Sequence, residues 1–200
     1  MIQIPRLLTT CRKKGLQRLV ITDHNTIEGA LQAQILDPQI FIIGEEILTR
    51  QGELLGIFVK ESVPAGLSAI ETVQMLRDQG SFISVSHPFD ALRKGHWNLD
   101  DLLEIIAYID AIEVFNSRCL SPQSNQQAMD FAREHNLLAT VGSDAHSLSE
   151  VGSATLTLPE FNGPASLRQA LVNAQSRVRL SSLWVHIFSR YASWRKGRLR

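Results

Sequence analysis

Short runs of apolar and β-branched residues alternate along the chain with longer stretches of helical periodicity. This alternation is typical of βαβ units, whose strands form a parallel sheet. The predicted strands lie at residues 18–22, 40–43, 53–59, 81–86, 110–115, 137–141 and 154–158. The predicted helices lie at residues 5–14, from 25 or 26 to 36, and at 68–79, 99–107, 122–135, 164–174 and 181–194. The pattern therefore predicts an α/β fold.

Polar side chains that bind metal ions follow five of the predicted strands. The carboxyl ends of parallel strands meet at one face and carry the chemistry there, so we expect these side chains to lie close together. Histidine nitrogens with carboxylate oxygens suit Zn, Mn or Fe, and differ from the oxygen cage of Ca or the thiolates of structural Zn. The groups are Asp23 with His24, Glu45 with Glu46, His87, Asn116, and Asp144 with His146.

In order and spacing, the five motifs resemble those of the PHP domain family, named for polymerase and histidinol phosphatase. The resemblance covers residues 5–158 and implies a distorted seven-stranded β/α barrel that hydrolyses phosphoesters with metal ions. The motifs are Thr22-Asp23-His24-Asn25-Thr26, Gly44-Glu45-Glu46-Ile47, Ser86-His87-Pro88, Glu113-Val114-Phe115-Asn116 and Gly142-Ser143-Asp144-Ala145-His146.

The same resemblance implies a set of catalytic metal ligands and a bridging carboxylate. Glu46 is the expected bridge, because its two oxygens can bind two ions. Asn116 is a weaker candidate that could contact substrate instead, and Asp23 is expected to orient its neighbours. The expected cofactors are roughly one to three divalent ions of Mn, Zn or Fe. The implied ligands are His24, Glu46, His87, Asp144 and His146.

The sequence also departs from the family pattern. PHP domains begin with a strand that ends in His-x-His, followed by another Asp or His, and the sequence has none of these. We therefore expect the barrel to be N-terminally incomplete, with its first strand missing and two neighbouring edges unpaired. Of two explanations, an internal start at Met1 of a longer protein is favoured over a natural short form with an incomplete site. Glu53 could replace a missing ligand, although a solvated strand carboxylate is the favoured interpretation.

Arginines close to the strand-end motifs are candidates to bind a substrate phosphate, because a guanidinium can hold phosphate with two hydrogen bonds. Arg93 is the first choice, followed by Arg50 and Arg118. His96 and Trp97, in the same loop as Arg93, are expected to pack against the rim of the barrel.

The charge distribution divides the chain into a barrel domain at residues 1–160 and a basic helical extension at 161–200. The 20 basic and 20 acidic residues cancel, which argues against a stable nucleic-acid complex, yet residues 161–200 carry eight basic groups and no acidic one. The last predicted helix has an aromatic stripe, formed by Trp184, Phe188, Tyr191 and Trp194. We expect this helix to pack on the barrel, with a peripheral membrane or protein contact as the alternative.

The predicted function is that of a metal-dependent phosphoesterase. Its expected substrate is a small phosphomonoester or nucleotide, for example a 3′,5′-nucleoside bisphosphate or an oligonucleotide end, attacked by metal-activated water. A non-catalytic, N-terminally truncated PHP-like protein that binds a nucleotide or a protein partner is one alternative. Amidohydrolase-like cleavage of a C–N bond is another, although it usually needs a metal-bridging Lys or an extra Asp at the last strand, and none of the five strand-end motifs contains a Lys. The chain has neither a signal peptide nor a transmembrane segment by sequence, so we expect a cytoplasmic protein.

Overall fold

The computed structural model describes residues 2–93 and 95–181. The strands are β1 Leu19–Ile21, β2 Phe41–Leu48, β3 Glu53–Ile57, β4 Phe82–Val85, β5 Ala111–Asn116, β6 Leu138–Gly142, β7 Ala154–Thr157 and β8 Gln175–Val178. The helices are α1 Ile4–Lys13, α2 Glu28–Leu36, α3 Ala69–Asp78, α4 Leu99–Ile105, α5 Pro122–Glu134 and α6 Pro164–Leu171. Most of the helix predicted at 181–194, with its aromatic stripe, lies outside the described residues.

Six strands form one curved sheet in the order β1-β2-β3-β4-β5-β6, and β7 pairs with β8 in a second sheet. The pairs β1–β2, β4–β5 and β5–β6 are parallel, whereas β3 runs antiparallel to both β2 and β4. The prediction of a fully parallel sheet is therefore wrong at β3. The connection after Leu48 has only four residues, closed by a hydrogen bond from the Thr49 amide to the Gly52 carbonyl (2.9 Å), and a parallel connection needs a far longer crossover.

Strand β2 extends further than predicted and carries the Glu45-Glu46 pair inside the sheet. Successive residues of a strand point to opposite faces, so the two carboxylates separate. Glu45 is fully buried and accepts hydrogen bonds from Ser62 Oγ (2.5 Å) and the Val63 amide (2.9 Å). Glu46 points to the other face and is held by strand pairing on both sides.

The sequence analysis does not predict strand β8, because Gln175–Val178 lack an apolar alternation. All four residues are exposed in the structure. Helix α2 also begins later than predicted, at Glu28. The Thr26 hydroxyl still accepts a hydrogen bond from the Glu28 amide (3.2 Å), whereas the Asn25 side chain accepts one from the Leu48 amide (2.9 Å). The Asn25 side chain therefore ties the loop after β1 to the end of β2.

The main hydrophobic core lies between the central strands and the helices α3, α4 and α5. Ile83 of β4 and Ile112 of β5 are fully buried and pack with Leu76 of α3 and Leu102 of α4. Trp97 belongs to the same cluster, which agrees with the prediction that it packs rather than binds a ligand. No helix among the described residues has both the length and the apolar content needed to cross a membrane.

The six-stranded sheet is open between its two edge strands, β1 and β6. A groove of about 2460 Å³ lies there, and residues of β1, β6 and β7 line it. Within residues 2–93 and 95–181 the expected barrel of seven strands thus takes the form of a six-stranded sheet that does not close. The groove leads to the carboxyl end of the sheet, where the strand-end motifs lie.

At the opposite end, Asp110 ties two helices to the sheet. Its carboxylate accepts hydrogen bonds from Arg77 (3.1 and 3.2 Å), from Arg168 (2.7 and 3.1 Å) and from the Ile83 amide (2.8 Å). Burial raises the pKa of Asp110, but the hydrogen bonds from Arg168, Ile83 and Arg77 outweigh it and leave the pKa below its ordinary value. The ionised carboxylate therefore stabilises the fold.

We expect Asp110→Asn to lower the free energy of unfolding at pH 7 by about 1–3 kcal/mol, because two arginines lose a charged acceptor. A carboxyl whose pKa is lowered by folding stabilises fully above its unfolded value of about 3.9, and this contribution disappears as pH falls through the folded pKa. Urea unfolding followed by circular dichroism should show a smaller difference between the two proteins at pH 3 than at pH 7. Asp130→Asn, in an exposed pair with Arg133, is the control and should change little. An equal loss at both pH values would contradict the ion-pair explanation.

Candidate metal centre

Two carboxylates face each other on the inner side of the β2–β3 hairpin. Glu46 pairs with Leu55, so Glu53, two residues earlier on β3, is its diagonal neighbour on the same face. Their side chains are only 9% and 13% exposed. Glu53 is therefore not the solvated carboxylate that the sequence favoured. Strand β3 runs antiparallel to β2 and β4. Its N-terminal residue, Glu53, therefore lies at the end of the sheet where the parallel strands have their carboxyl ends.

His87 lies between these two glutamates, directly after β4. Its Nε2 is 3.2 Å from Glu46 Oε1 and 3.2 Å from Glu53 Oε2, and its side chain is fully buried. Burial lowers the pKa of His87, but the hydrogen bonds with the two glutamates outweigh it and raise the pKa to about 10. His87 Nδ1 has no hydrogen-bond partner among the described residues. The imidazole thus supplies positive charge where two carboxylates meet.

His24 reaches the same carboxylates from the loop after β1. Its Nδ1 is 3.4 Å from Glu46 Oε2 and 3.9 Å from Glu53 Oε1, and 52% of its side chain is exposed. The backbone fixes this placement, because the Glu46 amide donates to the Asp23 carbonyl (3.2 Å) and the Asn25 amide donates to the Glu46 carbonyl (2.8 Å). Asp23 contacts Glu46 through this carbonyl, while the residue itself is exposed.

These side chains fit a divalent metal ion. One ligand atom from each of His24, Glu46 and Glu53 lies within 4.8 Å of the others, which is a span that one cation can bridge. An imidazole and two carboxylates form the mixed nitrogen and oxygen set that Zn, Mn and Fe accept. His87 Nε2, in contact with both glutamates, is a fourth donor.

Asp144 and His146 form a second pair beside this group. Asp144 has a left-handed backbone (φ 46°) and a side chain only 11% exposed. His146 Nδ1 lies 3.4 Å from Asp144 Oδ1, and the His146 ring centroid lies 6.5 Å from that of His24. Four of the five predicted ligands, His24, Glu46, Asp144 and His146, line the groove, and His87 contacts Glu46. Asp144 and His146 stand outside the tight group of His24, Glu46 and Glu53.

The three candidate arginines have different surroundings. Arg93 contacts Asp144 and so reaches the site. Arg118 is buried and pairs with Glu150 (3.0 Å), whose other carboxylate oxygen accepts a hydrogen bond from the His146 amide (3.1 Å). Arg118 therefore supports the loop that carries His146. Arg50 lies in a surface ion pair with exposed Glu71 (3.1 Å), and its role in phosphate binding stays a prediction.

The sequence analysis assigned no role to Glu113, although the Glu113 side chain contacts the backbone of His87. Its Oε2 accepts hydrogen bonds from the His87 amide (3.0 Å) and from Asn116 Nδ2 (3.0 Å). Burial raises the pKa of Glu113 to about 7 against the opposing effect of His87. Asn116 Oδ1 accepts from the Arg118 amide (2.9 Å), so both polar ends of the candidate ligand Asn116 are engaged within the protein. The sequence did carry one indication of a role for Glu113, namely a charged residue in the middle of an otherwise apolar strand.

Comparison with known proteins identifies the fold. Residues 122–176 match the family model described as PHP-associated. A two-domain crystal structure from Bacteroides vulgatus, which contains a predicted PHP-like metal-dependent phosphoesterase, aligns over 89% of this chain and 61% of its own, with a TM-score of 0.69 and 19% identity. The chain therefore has the PHP fold, and its residues 122–176 match the PHP-associated family model.

Two further crystal structures share the PHP fold. A protein from Bifidobacterium adolescentis, proposed to be a metal-dependent phosphoesterase, has a TM-score of 0.63 and 17% identity, and the alignment covers 92% of this chain and 93% of its own. PsfC from Pseudomonas syringae has a TM-score of 0.64 and 16% identity, with 96% and 88% covered. The PHP-type fold predicted from the strand-end motifs is thereby confirmed.

Two curated relatives come from Methanocaldococcus jannaschii. The uncharacterized protein MJ0417 is 37% identical over 155 residues, which are 76% of this chain and 62% of the relative. The uncharacterized protein MJ1587 is 36% identical over 120 residues, 58% of this chain and 68% of the relative. This chain thus spans less than two thirds of MJ0417 and of the Bacteroides protein.

Gly142 at the end of β6 lies against the Glu113 carboxylate, and a Cβ there would overlap Glu113 Oε1. We expect Gly142→Ala to lower the free energy of unfolding by about 1–3 kcal/mol, because the buried carboxylate must move away from the His87 amide. Urea unfolding measures the loss. Gly163→Ala is the control, since its Cβ would meet nothing within 4 Å. Equal stability of the two variants would contradict this packing.

Proposed function

We propose that this PHP-fold protein is a metal-dependent phosphoesterase that hydrolyses a small phosphomonoester or a nucleotide, such as a 3′,5′-nucleoside bisphosphate or an oligonucleotide end. The observation that supports this most directly is the close group of His24, Glu46 and Glu53 beside an open groove, with His87 in contact with both glutamates. The description of the Bacteroides relative as containing a predicted metal-dependent phosphoesterase agrees with the proposal.

The four converging side chains would hold the cation. When bound, a divalent cation lowers the pKa of a water molecule and neutralises charge on the phosphoryl oxygens. Glu46 is fixed for this role from two sides, since Ser86 Oγ donates to its Oε1 (2.9 Å) and His24 contacts its Oε2. His87 must be neutral at Nε2 to bind a metal ion, so its proton would leave to solvent.

Arg93, which contacts Asp144, and the groove residue His146 would bind and orient the phosphoester. The Arg93 guanidinium is partly exposed and suited to two parallel hydrogen bonds with phosphate oxygens. The half-exposed His146 lines the groove and would donate a proton to the leaving oxygen. The groove, about 2460 Å³, exceeds the volume of about 300–1,000 Å³ that small ligands usually fill, so its size does not distinguish a nucleotide from a smaller ester.

The test is binding and hydrolysis with Mn²⁺. We expect the purified protein to bind Mn²⁺ in isothermal titration and to release phosphate from a 3′,5′-nucleoside bisphosphate only when Mn²⁺ is present. Glu53→Gln should weaken Mn²⁺ binding by at least about tenfold, because it removes a charged ligand. Glu61→Gln changes an exposed carboxylate on the loop after β3 and is the matched control.

Two outcomes would contradict parts of this proposal. A wild-type protein that binds no Mn²⁺ would exclude the metal centre. A protein that binds Mn²⁺ at Glu53 but hydrolyses none of the phosphoesters would be a binding protein and not an enzyme.

A further inference from the structure

The chain that follows β4 holds the main chain of Glu53, the first residue of β3. The Glu53 amide donates a hydrogen bond to the Gly95 carbonyl (3.1 Å). The Glu53 carbonyl accepts one from the Ser86 amide (3.1 Å) and one from Trp97 Nε1 (3.2 Å). A carbonyl oxygen has two lone pairs and can accept both. Both polar groups of the Glu53 main chain are therefore engaged by residues that come after β4.

The Trp97 ring is fixed against the turn that precedes Glu53. Trp97 is only 4% exposed, and its main-chain amide donates to the Pro88 carbonyl (2.9 Å). Gly52 lies against the ring, where a Cβ would overlap the indole. A buried indole N–H needs an acceptor, and Trp97 uses the Glu53 carbonyl. Trp97 therefore fixes the main chain of Gly52 and Glu53 together.

Gly95 lies against the side chain of Glu53. A Cβ on Gly95 would overlap Glu53 Oε2, which is the oxygen that contacts His87 Nε2 (3.2 Å). It would also overlap the Cγ and Cδ atoms of Glu53, so the carboxylate could not stay in its present place. The absence of a side chain at Gly95 therefore leaves room for the contact between Glu53 and His87.

This support matters because Glu46 and Glu53 carry like charges at short range. Repulsion between two largely buried carboxylates favours turning one of them out to water. The Glu46 carboxylate is held by a hydrogen bond from Ser86 Oγ (2.9 Å). Glu53 has no such hydroxyl donor among the described residues, and its position depends on the packing around it.

We propose that Gly95 and Trp97 are positioning residues that hold Glu53 in place to bind the divalent ion. Gly95 keeps the space of the carboxylate free, and Trp97 fixes the main chain from which the side chain extends. Residues that orient metal ligands typically change metal affinity by about 10- to 100-fold when they are replaced. This inference rests on the proposed function, because it gives both residues a part in the same metal centre.

The experiment measures the Mn²⁺ dissociation constant by isothermal titration and the urea midpoint of the metal-free protein by circular dichroism. We expect Gly95→Ala to weaken Mn²⁺ binding by at least about tenfold, because the new methyl group displaces the Glu53 carboxylate. Its urea midpoint should stay close to that of the wild type, since the displaced side chain can turn to water. Trp97→Phe keeps a ring but loses one hydrogen bond, and should weaken Mn²⁺ binding by about two- to tenfold. Gly163→Ala is the control and should match the wild type in both measurements.

A double-mutant cycle shows whether Gly95 acts through Glu53. The Glu53→Ala protein has no carboxylate to displace, while His24, Glu46 and His87 remain to bind Mn²⁺. Adding Gly95→Ala to it should therefore change the dissociation constant by less than about twofold. A full tenfold loss in that background would overturn the inference.

Other results would also contradict it. Gly95→Ala protein that binds Mn²⁺ as tightly as the wild type would overturn the role of Gly95, and unchanged binding by Trp97→Phe would overturn that of Trp97. A Gly95→Ala protein that loses stability without Mn²⁺ but keeps its affinity would show a purely structural role. Absence of Mn²⁺ binding by the wild type would instead overturn the proposed metal-dependent function.

Discussion

The repulsion between Glu46 and Glu53 is the constraint on which the arrangement of this site depends. Both carboxylates are largely removed from water and lie on one face of a hairpin, where screening is weak. Two neighbouring loops place imidazole groups against that face: His87 after β4, and His24 after β1. Acidic groups nevertheless remain in excess around the site, since Glu113, Asp90 and Asp144 lie close by. Such a surplus favours a divalent cation.

The sequence predicted the positions of most strands and helices because the signals involved are local. Apolar alternation and helical spacing are visible within about ten residues, and seven of the eight strands follow them. The direction of β3 is not a local signal, because it depends on how β3 pairs with β2 and β4. Glu53 was therefore assigned to solvent although its position in the chain was placed correctly at the start of a strand.

The roles of the arginines depend on loop conformation, which no spacing rule supplies. Arg50, Arg93 and Arg118 all follow strand-end motifs by a few residues, yet one pairs on the surface, one contacts Asp144 and one supports a loop from within the core. Glu113 escaped notice for a related reason. Its importance comes from the His87 amide and Asn116 packed around it, which are contacts between separate parts of the fold.

The tight β2–β3 turn also has a consequence for how the protein folds. Glu46 and Glu53 are seven residues apart and meet through a hairpin, a structure that forms within about 1–10 μs in isolated segments. Asp144 and His146 come from more than ninety residues further along the chain, and such distant contacts form late. The two halves of the site thus differ in the sequence separation of their contacts. A cation that binds Glu46 and Glu53 early in folding would stabilise the β2–β3 hairpin before β6 pairs with the sheet.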